Sequence, residues 1–134
     1  MNMKFAKIAL FLMAAAAFAL VGCASHPQDR RIMIDKDVTD RIQVISVNTT
    51  TVGSDMLKVQ VELLNKTEKL QRFVYQFEWY DRDGMQMSTL SSLMPDEVDG
   101  GQSKFISGVA PTPSVTDFRL RLMRSKSNLP DDEN

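Results

Sequence analysis

Apolar side chains occupy every second position along three stretches of this 134-residue chain, and this pattern constrains its fold more than any other feature. In residues 57–63, leucine and valine alternate with lysine, glutamine and glutamate. In residues 73–79 aromatic side chains occupy every second position, and in residues 118–122 arginines separate one phenylalanine and two leucines. Successive side chains of a β-strand point to opposite faces, so a period of two predicts strands with one buried face. No segment after residue 22 shows the apolar stripe of an amphipathic helix.

Turn-forming residues separate these strands at short intervals. Three further segments are weaker strand candidates: residues 42–47, 85–89 and 104–110. The Asp-Arg-Asp-Gly sequence at residues 81–84 suits a hairpin loop because its glycine can adopt a positive φ. The two glycines at residues 100–101 predict another tight turn, and Pro111 ends the strand that follows it. About five to seven short strands with such turns predict an all-β antiparallel sandwich over residues 32–124.

The amino-terminal segment has the layout of a secretion signal. Residues 1–7 carry two lysines and no acid, and residues 8–21 form an unbroken apolar run of 14 residues. A signal peptide has an apolar region of about 7–15 residues, whereas a membrane-spanning helix needs about 20. We therefore expect residues 1–22 to be a signal peptide, helical in the precursor and absent from the mature protein.

The residues at the end of this segment resemble the lipobox of bacterial lipoproteins. They are Leu20, Val21, Gly22 and Cys23, the last being the only cysteine of the chain. In that class the cysteine thiol receives a diacylglyceryl group, the bond before it is cut and the new amino terminus is acylated. A thiolate is a suitable nucleophile for such a step. The alternatives are a structural cysteine that happens to follow a signal peptide, and a short amphipathic anchor. We expect Cys23 to carry the lipid and no other cofactor to be bound.

Lipidation would determine where the protein is held. A single acyl chain gives only marginal membrane binding, whereas several chains, at about 0.8 kcal/mol per buried CH₂, make a lasting anchor. Cys23 is followed by Ala24 and Ser25, and neither is the aspartate that resembles an inner-membrane retention signal. We therefore expect the protein at the periplasmic face of the outer membrane, with residues 23–31 as a lipidated tether. A lone cysteine also excludes a disulfide within the chain.

The charge of the chain gives no indication of a nucleic-acid partner. Two of its 16 lysines and arginines precede residue 23 and all 17 acids follow it, so the expected mature chain has 14 positive and 17 negative groups, a formal charge of −3. Nucleic-acid binding would require a basic surface. Residues 125–134 are polar and acidic, and we expect them to form a flexible tail.

The inventory of reactive side chains argues against an enzyme. The only histidine, His26, lies in the predicted tether, and Cys23 is expected to be acylated, so a catalytic nucleophile–histidine pair is not expected. Too few histidine and cysteine ligands remain for a zinc site, and the turn at residues 81–84 lacks the further oxygen ligands of a calcium loop. Asp81 with Asp83, or the acids Asp96, Glu97 and Asp99, could in principle hydrolyse a glycan as an acid–base pair. We expect them instead to be turn residues, because aspartate bonds the backbone of its own turn.

Two surfaces are candidates for binding a partner. The residues are Leu90, Leu93 and Met94 in one segment, and Arg119 and Arg121 on the last strand. Residues 89–99 combine apolar side chains with a proline and three acids. We expect this segment to close an open end of the sandwich; the alternative is an apolar patch that binds a partner. The arginines project from the outward face of their strand. There they either bind an acidic partner or remain in solvent, where their charge would prevent pairing with another strand.

Four motifs together resemble a known family. They are Phe-Glu-Trp-Tyr-Asp-Arg-Asp-Gly at residues 77–84, Gly-Gly at 100–101, Ala-Pro-Thr-Pro at 110–113 and Phe-Arg-Leu-Arg-Leu at 118–122. The domain is similar to the YcfL-like periplasmic lipoproteins of gram-negative bacteria, and the lipobox fits that class. The resemblance implies an immunoglobulin-like sandwich and a periplasmic address. It supplies no catalytic residues, since the family is a domain of unknown function.

Two functional hypotheses follow. The first is a non-catalytic interaction module, held at the outer membrane, that binds a periplasmic protein or a cell-wall polymer; a purely structural spacer is its variant without a partner. The second is a small glycan- or lipid-modifying enzyme that uses the carboxylates near Asp81 or Asp96. We favour the interaction module, with neither metal nor nucleic acid bound, because these acids have the sequence context of turns. A buried carboxylate pair with a raised pKa would favour the enzyme.

Overall fold

Seven strands form two facing sheets in the computed structural model, which describes residues 29–87 and 92–126. In chain order the elements are β1 (Ile32–Ile34), the helical turn α1 (Lys36–Thr39), β2 (Ile42–Val52), β3 (Met56–Asn65), β4 (Gln71–Asp81), β5 (Met94–Val98), β6 (Ser103–Val109) and β7 (Val115–Arg124). One sheet has the strand order β1-β7-β4-β5 and the other the order β2-β3-β6. The predicted all-β sandwich is confirmed, with a strand number in the described residues at the upper end of the expected range.

The core lies between the two sheets and is built mainly from β3, β4 and β7. Every second residue of their central parts is buried: Val59, Val61, Leu63, Phe73, Tyr75, Phe77, Trp79, Phe118, Leu120 and Leu122. The rings of Phe77 and Trp79 stack with their centroids 5.5 Å apart. The opposite sheet comes close at Gly108, where a Cβ atom would lie 2.7 Å from Cδ2 of Phe77. The period of two in the sequence therefore marks the faces that pack against each other.

The short strand β1 adds a parallel pair that the sequence does not predict. It pairs with β7, placing Ile32 opposite Leu120 and Ile34 opposite Leu122. The other strand pairs of the described residues are antiparallel. With three residues, β1 is too short for an alternation to be recognised. Its pairing places residues 29–31, at the end of the predicted tether, beside the first half of β7.

In residues 92–99, the described part of the segment at residues 89–99, the chain forms a sheet edge rather than the expected closure of an open end of the sandwich. This part contains β5, which pairs with the first half of β4. Val98 is buried, but Leu93 is 60% and Met94 is 46% exposed. A strand at a sheet edge has a neighbour on one side only, so its side chains are covered less than those of a central strand. Leu90 lies outside the described residues.

Two predicted turns are confirmed and one weak strand candidate is wrong. Gly84 has a φ of 77° and Gly101 a φ of 70°, in the left-handed region that favours glycine. By contrast, residues 85–89 form no strand in their described part. Gln86 makes only an isolated bridge to Tyr80, which closes the hairpin loop after β4.

Asn65, which is fully buried at the end of β3, ties the two sheets together. Its Nδ2 donates to the backbone oxygens of Lys69, Val98 and Asp99 at 2.8, 3.0 and 3.0 Å. Its Oδ1 accepts the backbone N–H and the hydroxyl of Thr67 at 2.9 and 2.8 Å. Because both polar ends of the amide are hydrogen-bonded, its burial is tolerated. The turn predicted after β3 is therefore held against the strand β5 of the other sheet.

Several predictions concern parts of the chain outside the described residues and stay predictions. These parts are the signal peptide, the lipobox residues Leu20, Val21, Gly22 and Cys23, the single histidine His26, and residues 127–134 of the expected tail. Among the residues that the structure describes, no helix has the length and apolar character needed to span a membrane.

Candidate functional site, an arginine-lined pocket

A concavity of about 430 Å³ opens at one end of the four-stranded sheet. We call it the arginine pocket, and its lining residues are Arg30, Arg31, Tyr80, Asp81, Arg82, Gly84, Thr116, Asp117, Phe118 and Arg119. The parallel pairing of β1 with β7 brings residues 30–31 to this place. The antiparallel pairing of Tyr80 with Asp117 brings the hairpin loop after β4 to the same end. Four arginines from three segments of the chain thus face one space.

Arg31 is held in place by three neighbours. Its Nε lies 3.0 Å from Oδ1 of Asp29, and its Nη2 lies 2.6 Å from Oδ2, which makes a two-point ion pair. Its guanidinium carbon lies 4.6 Å from the ring centroid of Phe118, and its Nη1 lies 3.8 Å from Oδ1 of Asp117. Since the guanidinium is a rigid planar fork, these contacts fix its orientation, and a ligand would order little further.

The ion pair between Asp29 and Arg31 also secures the charge of both groups. The hydrogen bond from Arg31 holds the pKa of Asp29 below its usual value of 3.8, although partial burial acts in the opposite direction. The same hydrogen bond raises the pKa of Arg31. Hydrogen bonds to the charged form favour that form. Both side chains are therefore charged at neutral pH.

Tyr80 and Arg119 form another wall of the pocket. The guanidinium carbon of Arg119 lies 5.0 Å from the ring centroid of Tyr80, a cation–π contact. The Tyr80 hydroxyl donates to Oε2 of Glu78 at 3.1 Å. Burial, followed by this carboxylate, raises the pKa of Tyr80, so the hydroxyl stays protonated at neutral pH. Arg121 lies beside the pocket, with its Nη1 3.6 Å from Oε1 of Glu78.

The two aspartates of the pocket are bonded to backbone N–H groups. Oδ1 of Asp81 accepts the N–H groups of Asp83 and Met85, each at 2.9 Å. This confirms the interpretation of Asp81 as a turn residue. Oδ1 of Asp117 accepts the N–H of the next residue at 2.9 Å. Both carboxylates thus complete local backbone structure, and they only partly offset the charge of the arginines.

Arg30 and Arg82 are the two arginines of the pocket that remain available. Within residues 29–87 and 92–126, neither has an ion-pair or hydrogen-bond partner, and both are exposed. The four guanidinium groups are accompanied by Asp81 and Asp117 in the lining and by Asp29, which is paired with Arg31, so the pocket keeps an excess of one positive charge. The planar fork of arginine matches the oxygens of a carboxylate or phosphate. The arrangement is therefore suited to binding an anionic group.

The remaining acids of interest are engaged on the β5 edge. Asp96 is bonded to Lys104, and Oε2 of Glu97 accepts from Nε of Arg72 at 3.1 Å. No three histidine, cysteine or acidic side chains of the described residues come together as a metal site requires. Asp96 and Glu97 lie within the strand β5, which corrects the expectation that they are turn residues. Their ion pairs give them a structural role and favour the interpretation that they are not an acid–base pair.

The two surfaces that the sequence predicts as partner-binding lie apart in the structure. Arg119 lines the arginine pocket and Arg121 lies next to it on the same face. Leu93 and Met94 lie at β5, where Met94 pairs with Tyr75 in the first half of β4. The pocket is at the other end of β4. The apolar segment and the arginines therefore form two distinct surfaces.

Sequence reasoning missed Arg30, Arg31 and Arg82 as members of the site. The first two fall in the predicted tether and the third in a turn, and no local pattern links them to Arg119. One usable signal was present. Tyr80 continues the outward-facing positions of the aromatic strand and directly precedes the predicted hairpin loop, so it had to lie beside that loop.

The sequence of this chain matches the model of a known protein family. A family model described as a protein of unknown function, DUF1425, matches residues 29–124. The chain belongs to the DUF1425 family. All three pocket-forming segments lie inside the matched region, which begins at Asp29 and ends with β7. The expected domain of unknown function is confirmed at this level, and the narrower likeness to YcfL-like lipoproteins stays a prediction. No curated protein matches the sequence.

Two solved structures are similar to this DUF1425 domain. One is a DUF1425 family member from Shewanella sp. pv-4, with 24% identity and a TM-score of 0.58, and the match covers 65% of this chain and 81% of that chain. The other is Campylobacter jejuni cj0090, with 16% identity and a TM-score of 0.63, covering 72% of this chain and 100% of that chain. At these identities the similarity shows a shared fold alone.

Proposed function

We propose that this DUF1425 protein is a YcfL-like lipoprotein anchored at the periplasmic face of the outer membrane, and that its domain is a non-catalytic module that binds an anionic partner. The observation that carries the proposal is the convergence of four arginines on one concavity. Two of them, Arg30 and Arg82, have no ion-pair partner within the described residues. The lipobox that ends at Cys23 supports the address.

An anionic polymer of the cell wall is the partner that suits the pocket best. A concavity of about 430 Å³ is the size of a site for one small group rather than for a flat protein surface. Arg31 and Arg119 are already oriented by aromatic rings, so a carboxylate or phosphate can bind without ordering them. Each hydrogen bond to such a charged group contributes roughly 1.5–3 kcal/mol.

The expected tether would keep the pocket near the membrane. From Cys23 to Arg30 the chain spans at most about 25 Å, since each residue adds no more than about 3.6 Å. A protein lipidated at Cys23 would therefore present its arginines within that distance of the outer membrane. This geometry supports the capture of a polymer that passes close to the membrane surface.

Co-sedimentation with purified, insoluble cell-wall polymer tests the binding. The mature lipidated protein should sediment with the polymer, and Arg30→Ala combined with Arg82→Ala should weaken binding by about tenfold or more, which corresponds to about 1.4 kcal/mol. The matched control is Arg72→Ala, because Arg72 is also exposed but is paired with Glu97 away from the pocket. The control should bind like the wild type, and binding should weaken as salt is added.

Three results would change the proposal. An equal loss in Arg72→Ala would mean that net charge, and not the pocket, causes the binding. Capture of an acidic periplasmic protein, lost in the Arg30 and Arg82 double variant, would replace the polymer as partner.

The anchor is tested separately with Cys23→Ser, which should move the protein from the membrane fraction to the soluble periplasmic fraction. A Cys23→Ser protein that stayed with outer membranes would contradict lipidation.

A further inference from the structure

Three of the four sheet edges in the described residues carry features with which proteins prevent pairing between edges. β1 has only three residues, β5 contains Pro95 and two acids, and β6 contains Lys104. β2 is the exception. It has eleven residues with no charged residue, proline or glycine, and among the described strands it pairs only with β3. At about 3.3 Å per residue, it presents an edge of about 36 Å.

The second half of β2 is the accessible part. Residues Asn48, Thr49, Thr50 and Thr51 are exposed, although they alternate between the two faces of the strand. A β-bulge between Val44 and Ser46 interrupts the first half. Residues 46–52 therefore form the longest regular stretch of this edge, and Thr49 is its midpoint.

We propose that β2 pairs in antiparallel fashion with β2 of a second copy of this chain, in a register centred on Thr49. In this register Thr49 faces its own copy, Asn48 faces Thr50, and Ser46 faces Val52. The two three-stranded sheets become one sheet of six strands. The backbone N–H and C=O groups on the outer side of residues 46–52 then gain partners, which is the main stabilising effect of adding a strand to an edge.

The residues that would face each other suit a second copy as the occupant of this edge, and no charge opposes it. On β3, Lys58 lies opposite Thr50 and Glu62 lies opposite Ser46. In the proposed register Thr50 next to Lys58 faces Asn48 of the second copy, and Ser46 next to Glu62 faces Val52 of the second copy. No like charges therefore lie opposite each other. The opposed side chains are β-branched or carry hydroxyl or amide groups, and threonine pairs across strands are favourable. The same self-pairing at β5 would place acids opposite acids.

The test is the oligomeric state of the full-length chain in detergent, measured by light scattering with the detergent subtracted. The wild type should be a dimer. Thr49→Lys and Thr49→Glu should each weaken the dimer by about tenfold or more, because two like charges would face each other. An equal mixture of the two variants should restore the dimer, since lysine then faces glutamate. Ser107→Lys is the matched control, because Ser107 is an exposed hydroxyl residue on the edge strand β6.

A wild-type chain that is monomeric at every concentration measured would overturn the proposal. A mixture that stays monomeric would overturn it as well, because another strand would then be the occupant of the edge. Loss of the dimer in Ser107→Lys would show that β6 is the interface. Circular dichroism of each variant checks that the sheet content is kept. Neither Cys23 nor the arginine pocket takes part in this interface, so its failure would leave the proposed function untouched.

Discussion

The two sheets of this sandwich present different outer surfaces. On the four-stranded sheet, outward-facing side chains contact one another: Arg119 lies over the ring of Tyr80, and Glu78 bonds Tyr80 and pairs with Arg121. The three-stranded sheet exposes apolar side chains on its two edge strands, namely Ile45 (45%), Phe105 (54%) and Val109 (47%). The edge strands of both sheets thus expose apolar side chains, since Met33 of β1 (50%) and Met94 of β5 (46%) are also exposed. The two surfaces differ in the network of charged and aromatic side chains on β4 and β7.

This difference shows how one small domain can offer two kinds of contact. A charged surface selects a ligand of opposite charge, and its affinity depends on salt. An uncharged strand edge binds through backbone hydrogen bonds, which depend on strand geometry rather than on charge. The two surfaces can differ because the core uses only the inward-facing positions of each strand. The outward-facing positions are free to take any side chain that tolerates water.

The largest expected effect is on the free energy of unfolding, and it is tested by comparing one phenylalanine from each sheet. Phe118 of the four-stranded sheet is fully buried and lies under Arg31, whereas Phe105 is half exposed. Phe118→Ala should lower the free energy of unfolding by about 3–5 kcal/mol because it leaves a cavity in the core. Phe105→Ala should change it by no more than about 0.5 kcal/mol. Urea unfolding followed by the fluorescence of Trp79 measures both, and equal effects would contradict the assigned core.

A second substitution tests the place where the two sheets are tied. Asn65→Ala removes the side chain that bonds Lys69, Val98 and Asp99, so buried backbone oxygens lose a donor. We expect a loss of about 2–3 kcal/mol in the free energy of unfolding. Gln60→Ala is the control, because Gln60 is an exposed amide residue on the same strand β3. If both variants unfold at the same urea concentration, Asn65 does not join the sheets as described.

Most of the sandwich could be predicted because its main signals are local. Residues 57–63, 73–79 and 118–122 alternate so strictly that their strands and buried faces follow from the backbone geometry alone. β2 extends beyond the predicted residues 42–47 because its Asn-Thr-Thr-Thr stretch has no apolar alternation to detect. β1 was missed because three residues hold no period, and its stability comes from β7, far away in the sequence.

Residues of the arginine pocket could be predicted only where they belong to a strand with alternating apolar and polar side chains. Arg119 was identified because it occupies an outward-facing position of an alternating strand. Arg30 and Arg82 could not be connected to it, since the connection depends on the parallel β1–β7 pair and on which end of β4 meets β7. Such pairings result from packing of the whole chain, and no local residue pattern encodes them.

The Asp29–Arg31 pair makes the charged end of the four-stranded sheet sensitive to acid. Because the folded-state pKa of Asp29 lies below its usual 3.8, its contribution to stability is complete above that pH and is lost as the pH falls through the lower folded-state pKa. Asp29→Asn should lower the free energy of unfolding by at most about 1 kcal/mol near neutral pH, since the pair is partly exposed.

Urea unfolding at neutral and at strongly acidic pH measures this difference, which should disappear in acid. Asp83→Asn, in the exposed hairpin loop, is the control for the loss of one surface carboxylate. A deficit in Asp29→Asn that persisted below the folded-state pKa would mean that packing, and not the ion pair, connects residues 29–31 to β7.

The smallest expected effect is on a tyrosine pKa, and it distinguishes Tyr80 in the wall of the pocket from Tyr75 in the core. Tyr75 and Tyr80 are the two tyrosines of the chain. Burial raises the pKa of both above the ordinary 10.0, and the Glu78 carboxylate raises the pKa of Tyr80 further. Glu78→Gln removes this charge beside Tyr80 only. In an alkaline titration of tyrosine absorbance, one of the two transitions should therefore move toward 10.0, and Tyr80→Phe identifies it.

The effect on stability has a defined sign. A raised tyrosine pKa stabilises the neutral form in the folded state, so the contribution is present below about pH 10 and is lost as the pH rises through the folded-state pKa. Glu78→Gln brings the folded and unfolded pKa values of Tyr80 closer together, and its stability should fall less steeply in alkali than that of the wild type. If both transitions moved together, the outward face of β4 would be coupled to the core, and the contrast between the two sheets would not be a property of their surfaces alone.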